Sequence, residues 1–220
     1  MNKMHFVFAL VVLTALATTP AMAQDMSFFV TSVGGPDGGD FGGLRGADEH
    51  CQQLAANEGG GGRTWRAYLS LTHPALTINA RDRIGSGPWY NSEGVMIARD
   101  VEDLHSDNAN INATTALTEE GDMVNGPGQP NRHDVLTGSR PDGTAWPYAL
   151  MDLLNFDGHA LTCNNWTSND PEHSAMIGHV DRGGNVGYSP WNAAHPTVGC
   201  NAEGFVGTGG AGLLYCFAAD

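Results

Sequence analysis

Lysine is nearly missing from this chain. Lys3 is the sole example among 220 residues, so past the N-terminal segment nine arginines face 24 acidic side chains. A formal charge of about −15 there works against binding to nucleic acid or to anionic membrane surfaces. Also absent are a G-x-S-x-G nucleophile elbow, a P-loop, a G-x-G-x-x-G after a strand, an H-E-x-x-H helix and any C-x-x-C pair. These gaps remove the usual sequence marks of hydrolases, nucleotide enzymes and cysteine-rich zinc sites. Ser86 sits in Gly-Ser-Gly, a turn and not an elbow. The longest apolar run, Phe6 to Ala17, is about a dozen residues, short of the roughly 20 that cross a bilayer.

That short run follows Lys3 and precedes Ala21-Met22-Ala23, the layout of a secretory signal spanning residues 1–23. Its removal would leave 197 residues, 24–220, the size of one domain with a substantial core. Secretion, or retention in a periplasm or at a cell surface, is therefore expected, without membrane insertion after cleavage. Cys51, Cys163, Cys200 and Cys216 all lie beyond the cleavage point. An even count in an exported chain predicts two disulfides, and four cysteines leave three connectivities open.

The most ordered signal is at the C-terminus. Leu213 to Ala218 is an unbroken apolar run after the glycine-rich Gly207 to Gly212, which reads as a buried strand. Phe28 to Thr31 reads as a first strand, and the GGPDGGDFGG segment, Gly34 to Gly43, as a flexible connection. Leu44, Ala47, Cys51, Leu54 and Ala55 recur at helical spacing, predicting an amphipathic helix over Gly46 to Asn57 with Cys51 on its buried face. Asp48 and Glu49 fall in its expected first turn, and Gly59 to Gly62 ends it. Trp65, Ala67, Leu69 and Leu71 alternate with polar residues as in a half-buried strand. Further on, Asn79 caps a short helix and Gly94 to Ala98 is a strand. Val101 to His105 forms a helical turn, and both His159 to Ser168 and Ser174 to Val180 are strands. Ser106 to Pro147, rich in Asn, Asp, Gly and Pro, is expected to be a long ordered loop region of the functional kind. No internal repeat is visible. The fold class is α+β with short strands, one principal N-terminal helix and long loops.

Taken together, GADEHCQQLA and RTWRAYLS, then GPWYN, CNNWTS and finally PWNAAHPTVGC with GTGGAGLLYCFA resemble a family of bacterial secreted lectin-like proteins of C-type-lectin-like or endostatin-like fold. The resemblance covers Phe28 to Ala218. It implies pairing of Cys51 with Cys216 and of Cys163 with Cys200. It also implies a carbohydrate or other surface ligand. In calcium-dependent C-type lectins that ligand sits on calcium, held by a proline-containing loop and a Trp-Asn-Asp segment. The matching positions are Gln129-Pro130-Asn131 and Trp191-Asn192, so Gln129, Asn131, Trp191 and Asn192 are the ligand-binding candidates and calcium the cofactor they would use. Ala193 replaces the acidic third member of the second motif, leaving Asp134 or Asp142 to supply charge. Any of Trp89, Trp146, Trp166 and Trp191 could stack on a sugar.

Eight histidines follow the cleavage point, His133, His159, His173, His179 and His195 among them. Endostatin holds zinc through histidines near its mature N-terminus, a placement this chain lacks, its first being His50. The metal candidates are Asp134, His179 and Asp181, with His179 and Asp181 the leading pair. The expected function is a non-catalytic, lectin-like binding module. The alternatives are a structural or protein-interaction component of the envelope or matrix, and a metal-dependent enzyme.

Overall fold

The computed structural model describes residues 25–125, 130–153, 161–181 and 190–220. The predicted signal segment and Gln129 lie outside that set, as does the start of the strand expected from His159. Ten strands and five helices are formed among the described residues. The strands are β1 (Phe28–Val30), β2 (Trp65–Ala67), β3 (Leu71–His73), β4 (Leu76–Ile78), β5 (Trp89–Tyr90), β6 (Met96–Ala98), β7 (Asp134–Leu136), β8 (Met176–His179), β9 (His195–Pro196) and β10 (Gly210–Ala218). The helices are α1 (Gly43–Asn57), α2 (Val101–Leu104), α3 (Tyr148–Leu153), α4 (Cys163–Trp166) and α5 (Ala202–Thr208). The chain is a mixed α+β fold whose principal sheet runs β1-β10-β7-β8-β9, with β2 also paired to β10. None of the described helices is long and apolar enough to cross a membrane.

β10 explains why the last apolar run has no polar alternation. Leu213, Tyr215 and Phe217 enter one core cluster with Phe28, Tyr68 and Trp191, whereas Leu214, Cys216 and Ala218 enter another with Ala47, Cys51 and Trp65. Side chains alternate across a strand, so covering both faces demands apolar residues at every position. β1 runs antiparallel to β10 with Phe29 opposite Cys216, and β2 places Ala67 opposite Cys216. Cys216 then bonds to Cys51 on the buried side of α1, and Cys163 bonds to Cys200. These are the two pairs implied by the resemblance, and they leave no free cysteine.

Several expectations change. α1 starts at Gly43, three residues early, so Asp48 is not in its first turn. Asp48 is instead 7% exposed and accepts hydrogen bonds from Arg83 at 2.7 and 2.8 Å, from Arg66 at 2.9 Å and from the Ala67 N–H at 3.0 Å. This carboxylate fastens the helix to β2 and to the 3-10 turn Ala80–Asp82. Asp48→Ala strands the Arg83 guanidinium and should cost about 3 kcal/mol, measured as a lower urea midpoint with unchanged slope.

The glycine-rich segment is packed against the inner disulfide. Gly39 donates its N–H to the Cys200 carbonyl at 2.7 Å, and a Cβ there would lie 2.7 Å from Cys163 Sγ. Glycine is required because the chain passes directly over the inner disulfide. Cys163 to Trp166 do not form the expected strand. They make one left-handed turn with φ between 46° and 67°, a conformation that costs L-residues roughly 1–2 kcal/mol each. The Cys163–Cys200 bond, the fully buried Trp166 ring and the Asn165 N–H bonded to Thr162 Oγ1 hold it in place. Val135 and Leu136, expected within a loop, form a central strand running parallel to β10 and antiparallel to β8.

His105, directly after α2, is partly buried against Tyr68 and Trp191 of the first core cluster. Tyr68 Oη donates to its Nε2 at 2.7 Å, while its Nδ1 donates to the Val101 carbonyl at 2.7 Å, which defines a neutral ring. Burial pushes its pKa below the usual imidazole value. As pH falls through about 6.5 the unfolded chain therefore takes up a proton that the fold refuses, and stability is lost. The urea midpoint should drop from pH 7.5 to pH 5.5, by less in His105→Phe than in the wild type.

Candidate metal centre

β7 and β8 are antiparallel with Asp134 directly opposite His179. Both residues share the sheet face of Leu136 and Ile177, two positions along, because strand side chains repeat every second residue. β9 continues the sheet beyond β8, with His195 opposite Ile177 and therefore on the same face. His133, one residue ahead of β7, reaches the same point from the strand end. Three adjacent strands thus converge four side chains near one position.

The carboxylate lies at the centre of the group. Asp134 Oδ1 is 3.2 Å from His133 Nε2, 3.2 Å from His179 Nε2 and 3.9 Å from His195 Nε2. His179 Nε2 and His195 Nε2 are 3.1 Å apart. His133 and His179 stack with ring centroids 4.3 Å apart and 14° between planes. Zinc bonds of about 2.0–2.1 Å in a tetrahedron require donor atoms about 3.3 Å from each other. Three of the four separations lie close to that spacing. The ligand atoms of His133, Asp134 and His179 all fall within 4.8 Å of one another.

The outer hydrogen bonds decide which ring atoms carry protons. Asp181 Oδ2 lies 3.0 Å from His133 Nδ1, and the Pro196 carbonyl lies 3.1 Å from His195 Nδ1. A carboxylate and a carbonyl accept only, so both Nδ1 atoms carry hydrogen, and both rings turn Nε2 toward the Asp134 carboxylate. This carboxylate–histidine arrangement is the outer support typical of a metal ligand. Both oxygens of Asp134 and Nδ1 of His179 are buried without a hydrogen-bond partner among the described residues. A buried carboxylate without a hydrogen bond is costly, and a cation bound between it and the imidazole nitrogens would offset that cost.

The surroundings are equally specific. Gly209 ends α5 at φ 99°, and a Cβ there would lie 3.2 Å from His133 Nε2 and 2.8 Å from Asn131 Nδ2. Its carbonyl accepts the Asp134 N–H at 3.2 Å. The glycine-rich turn before β10 therefore forms one wall of the centre. Beyond it, burial pushes the Tyr215 phenol well above its usual pKa, with the Asp181 and Asp134 carboxylates adding to the effect. Tyr215 stays protonated and donates to the Trp191 carbonyl at 2.8 Å.

Asp134, His179 and Asp181, the metal candidates read from the sequence, come together here, although Asp181 contacts His133 and not the inner position. His133 and His195 were not singled out, because they lie 46 and 16 residues from His179 and no compact motif joins them. The local signal was His-Asp followed by Val-Leu, with His-x-Asp ending the next strand. Among the described residues the calcium candidates do not converge. Asn131 is exposed, its Oδ1 accepting from Asn125 Nδ2 at 3.1 Å, whereas Trp191 and Asn192 are 0% exposed. Trp191 Nε1 donates to the Leu104 carbonyl, and Asn192 Nδ2 donates to Tyr68 Oη. Both are core residues. Asp142 Oδ1 is engaged by the N–H and hydroxyl of Thr144. Trp89 and Trp166 are also buried, whereas Trp146 is half-buried. No protein-family model matches the chain, and no curated protein matches it.

Proposed function

We propose that this protein is an exported, lectin-like binding domain whose functional centre holds a divalent transition metal, zinc foremost, through His133, Asp134 and His179 with His195 beside them. The observation that carries the reading is the convergence of imidazole Nε2 atoms, at zinc-ligand spacing, on a buried carboxylate that has no hydrogen-bond partner among the described residues. Calcium prefers six to eight oxygen donors at about 2.3–2.6 Å, whereas imidazole suits zinc, copper and nickel. The 24 acidic residues of the chain add a long-range attraction for cations.

The C-type-lectin-like assignment is supported by the Cys51–Cys216 and Cys163–Cys200 pairs and by α1 tied to the last strand. Two disulfides and an N-terminal signal layout favour an oxidising compartment outside the cytoplasm. Surface ligands, carbohydrate included, would be met at the metal, since four of the five tryptophans, Trp65, Trp89, Trp166 and Trp191, are at most 1% exposed and Trp146 alone is half-buried. Isothermal titration should find one zinc per chain at micromolar or tighter affinity, with millimolar calcium failing to compete. Competition by calcium, or no heat with zinc, would defeat the reading.

A further inference from the structure

The four inward-facing side chains are not equivalent. Side-chain exposure rises from 1% at Asp134 and 6% at His179 to 18% at His133 and 39% at His195. Of the four side chains, His195 is therefore the most open to solvent. That residue also has the weakest hold. It lies on β9, a strand of two residues at the outer end of the described sheet order. Its Nε2 is 3.9 Å from Asp134 Oδ1 where the other two histidines are at 3.2 Å. Among the described residues its Nδ1 meets the carbonyl of its own neighbour Pro196, whereas His133 is fixed by Asp181, two residues past β8.

From this asymmetry we infer that His195 is a displaceable ligand, and that the position it guards accepts a small external anionic donor such as a carboxylate. The inference rests on the metal reading above. His133, Asp134 and His179 supply three protein ligands, the number that leaves zinc a position for exchange, whereas closed structural sites keep four. A divalent ion on one carboxylate retains a net single positive charge in a region shielded from water. An incoming anion neutralises that charge and takes the place of a neutral imidazole, an exchange that buried electrostatics favour. No bond other than the metal–ligand bonds is made or broken.

Cobalt(II) reports the exchange directly, since its visible bands depend on coordination number and donor type. With azide as the probe, the cobalt-loaded wild type should show a saturable change in these bands. His195→Ala should still take up one cobalt per chain, with affinity reduced about 10-fold, and should bind azide at least 10-fold more tightly, with an unchanged far-ultraviolet circular dichroism spectrum. His179→Ala should bind cobalt about 100-fold or more weakly than the wild type. Loss of cobalt from His195→Ala as complete as from His179→Ala would overturn the inference and leave the metal centre standing as a closed site. So would spectra indifferent to azide in both the wild type and His195→Ala. Failure of the wild type to bind cobalt or zinc would remove the metal reading itself, and this inference with it.

Discussion

His179→Ala should weaken zinc binding by about 100-fold or more. Structural zinc sites contribute roughly 10–16 kcal/mol, so one ligand of three or four represents about 3 kcal/mol, near two orders of magnitude. His179 is the ligand for which that share should be fully lost. It is 5% exposed, lies opposite Asp134 in the sheet register and is stacked on His133, so water cannot readily take its place. Asp181→Asn, which keeps the shape but weakens the hydrogen bond to His133 Nδ1, should cost only about 10-fold. Competition against a chromophoric chelator measures both. The same variants separate ligation from general damage, because zinc should raise the melting temperature of the wild type and leave that of His179→Ala unchanged. Equal zinc affinity in all three proteins would mean that the ion binds elsewhere.

Joint replacement of Cys51 and Cys216 by alanine should destabilise the fold by about 5 kcal/mol, and joint replacement of Cys163 and Cys200 by about 4 kcal/mol. These figures follow from chain-entropy loss over sequence separations of 165 and 37. Either loss rivals the whole stability of an ordinary domain, roughly 5–15 kcal/mol. The outer bond closes a loop containing almost all of the domain and joins α1 to the strand on which both cores rest. The inner bond anchors the left-handed turn at Cys163 to Trp166 and the glycine-rich passage above it. Urea unfolding of the two double variants should therefore rank the outer pair as more costly. A loss below about 1 kcal/mol for the outer pair would show that the sheet closes without its clamp.

The parts of the fold that were legible in the sequence share one property, a long signal that needs no distant partner. α1 repeats its apolar residues over four turns, and β10 presents six consecutive apolar residues. Shorter elements were harder. β7 has three residues, begins with aspartate and is identified as a strand by its neighbours β10 and β8. The turn from Cys163 to Trp166 followed a strand-like composition into a left-handed conformation that only the disulfide and the buried tryptophan make tolerable. Asp48 looked like a residue favouring a helix start, yet arginines from elsewhere in the chain make it a buried anchor.

The same distinction divides the site. Asp134 could be singled out because it lies just after the Gln129-Pro130-Asn131 motif, and His179 and Asp181 because they form a close pair. The convergence of His133 and His195 depends on register between strands far apart in sequence. The lectin-like motif drew attention to Trp191 and Asn192, whose side chains the fold spends on its core through Leu104 and Tyr68. Composition could not reveal that, since a buried and an exposed tryptophan read alike.

Anomalous diffraction at the zinc edge, from a crystal of the mature chain grown with zinc, tests the central claim most directly. The account predicts one strong peak about 2.0–2.1 Å from His133 Nε2, His179 Nε2 and an Asp134 carboxylate oxygen. A map with no peak among these three side chains, while zinc is present in the crystal, would contradict it.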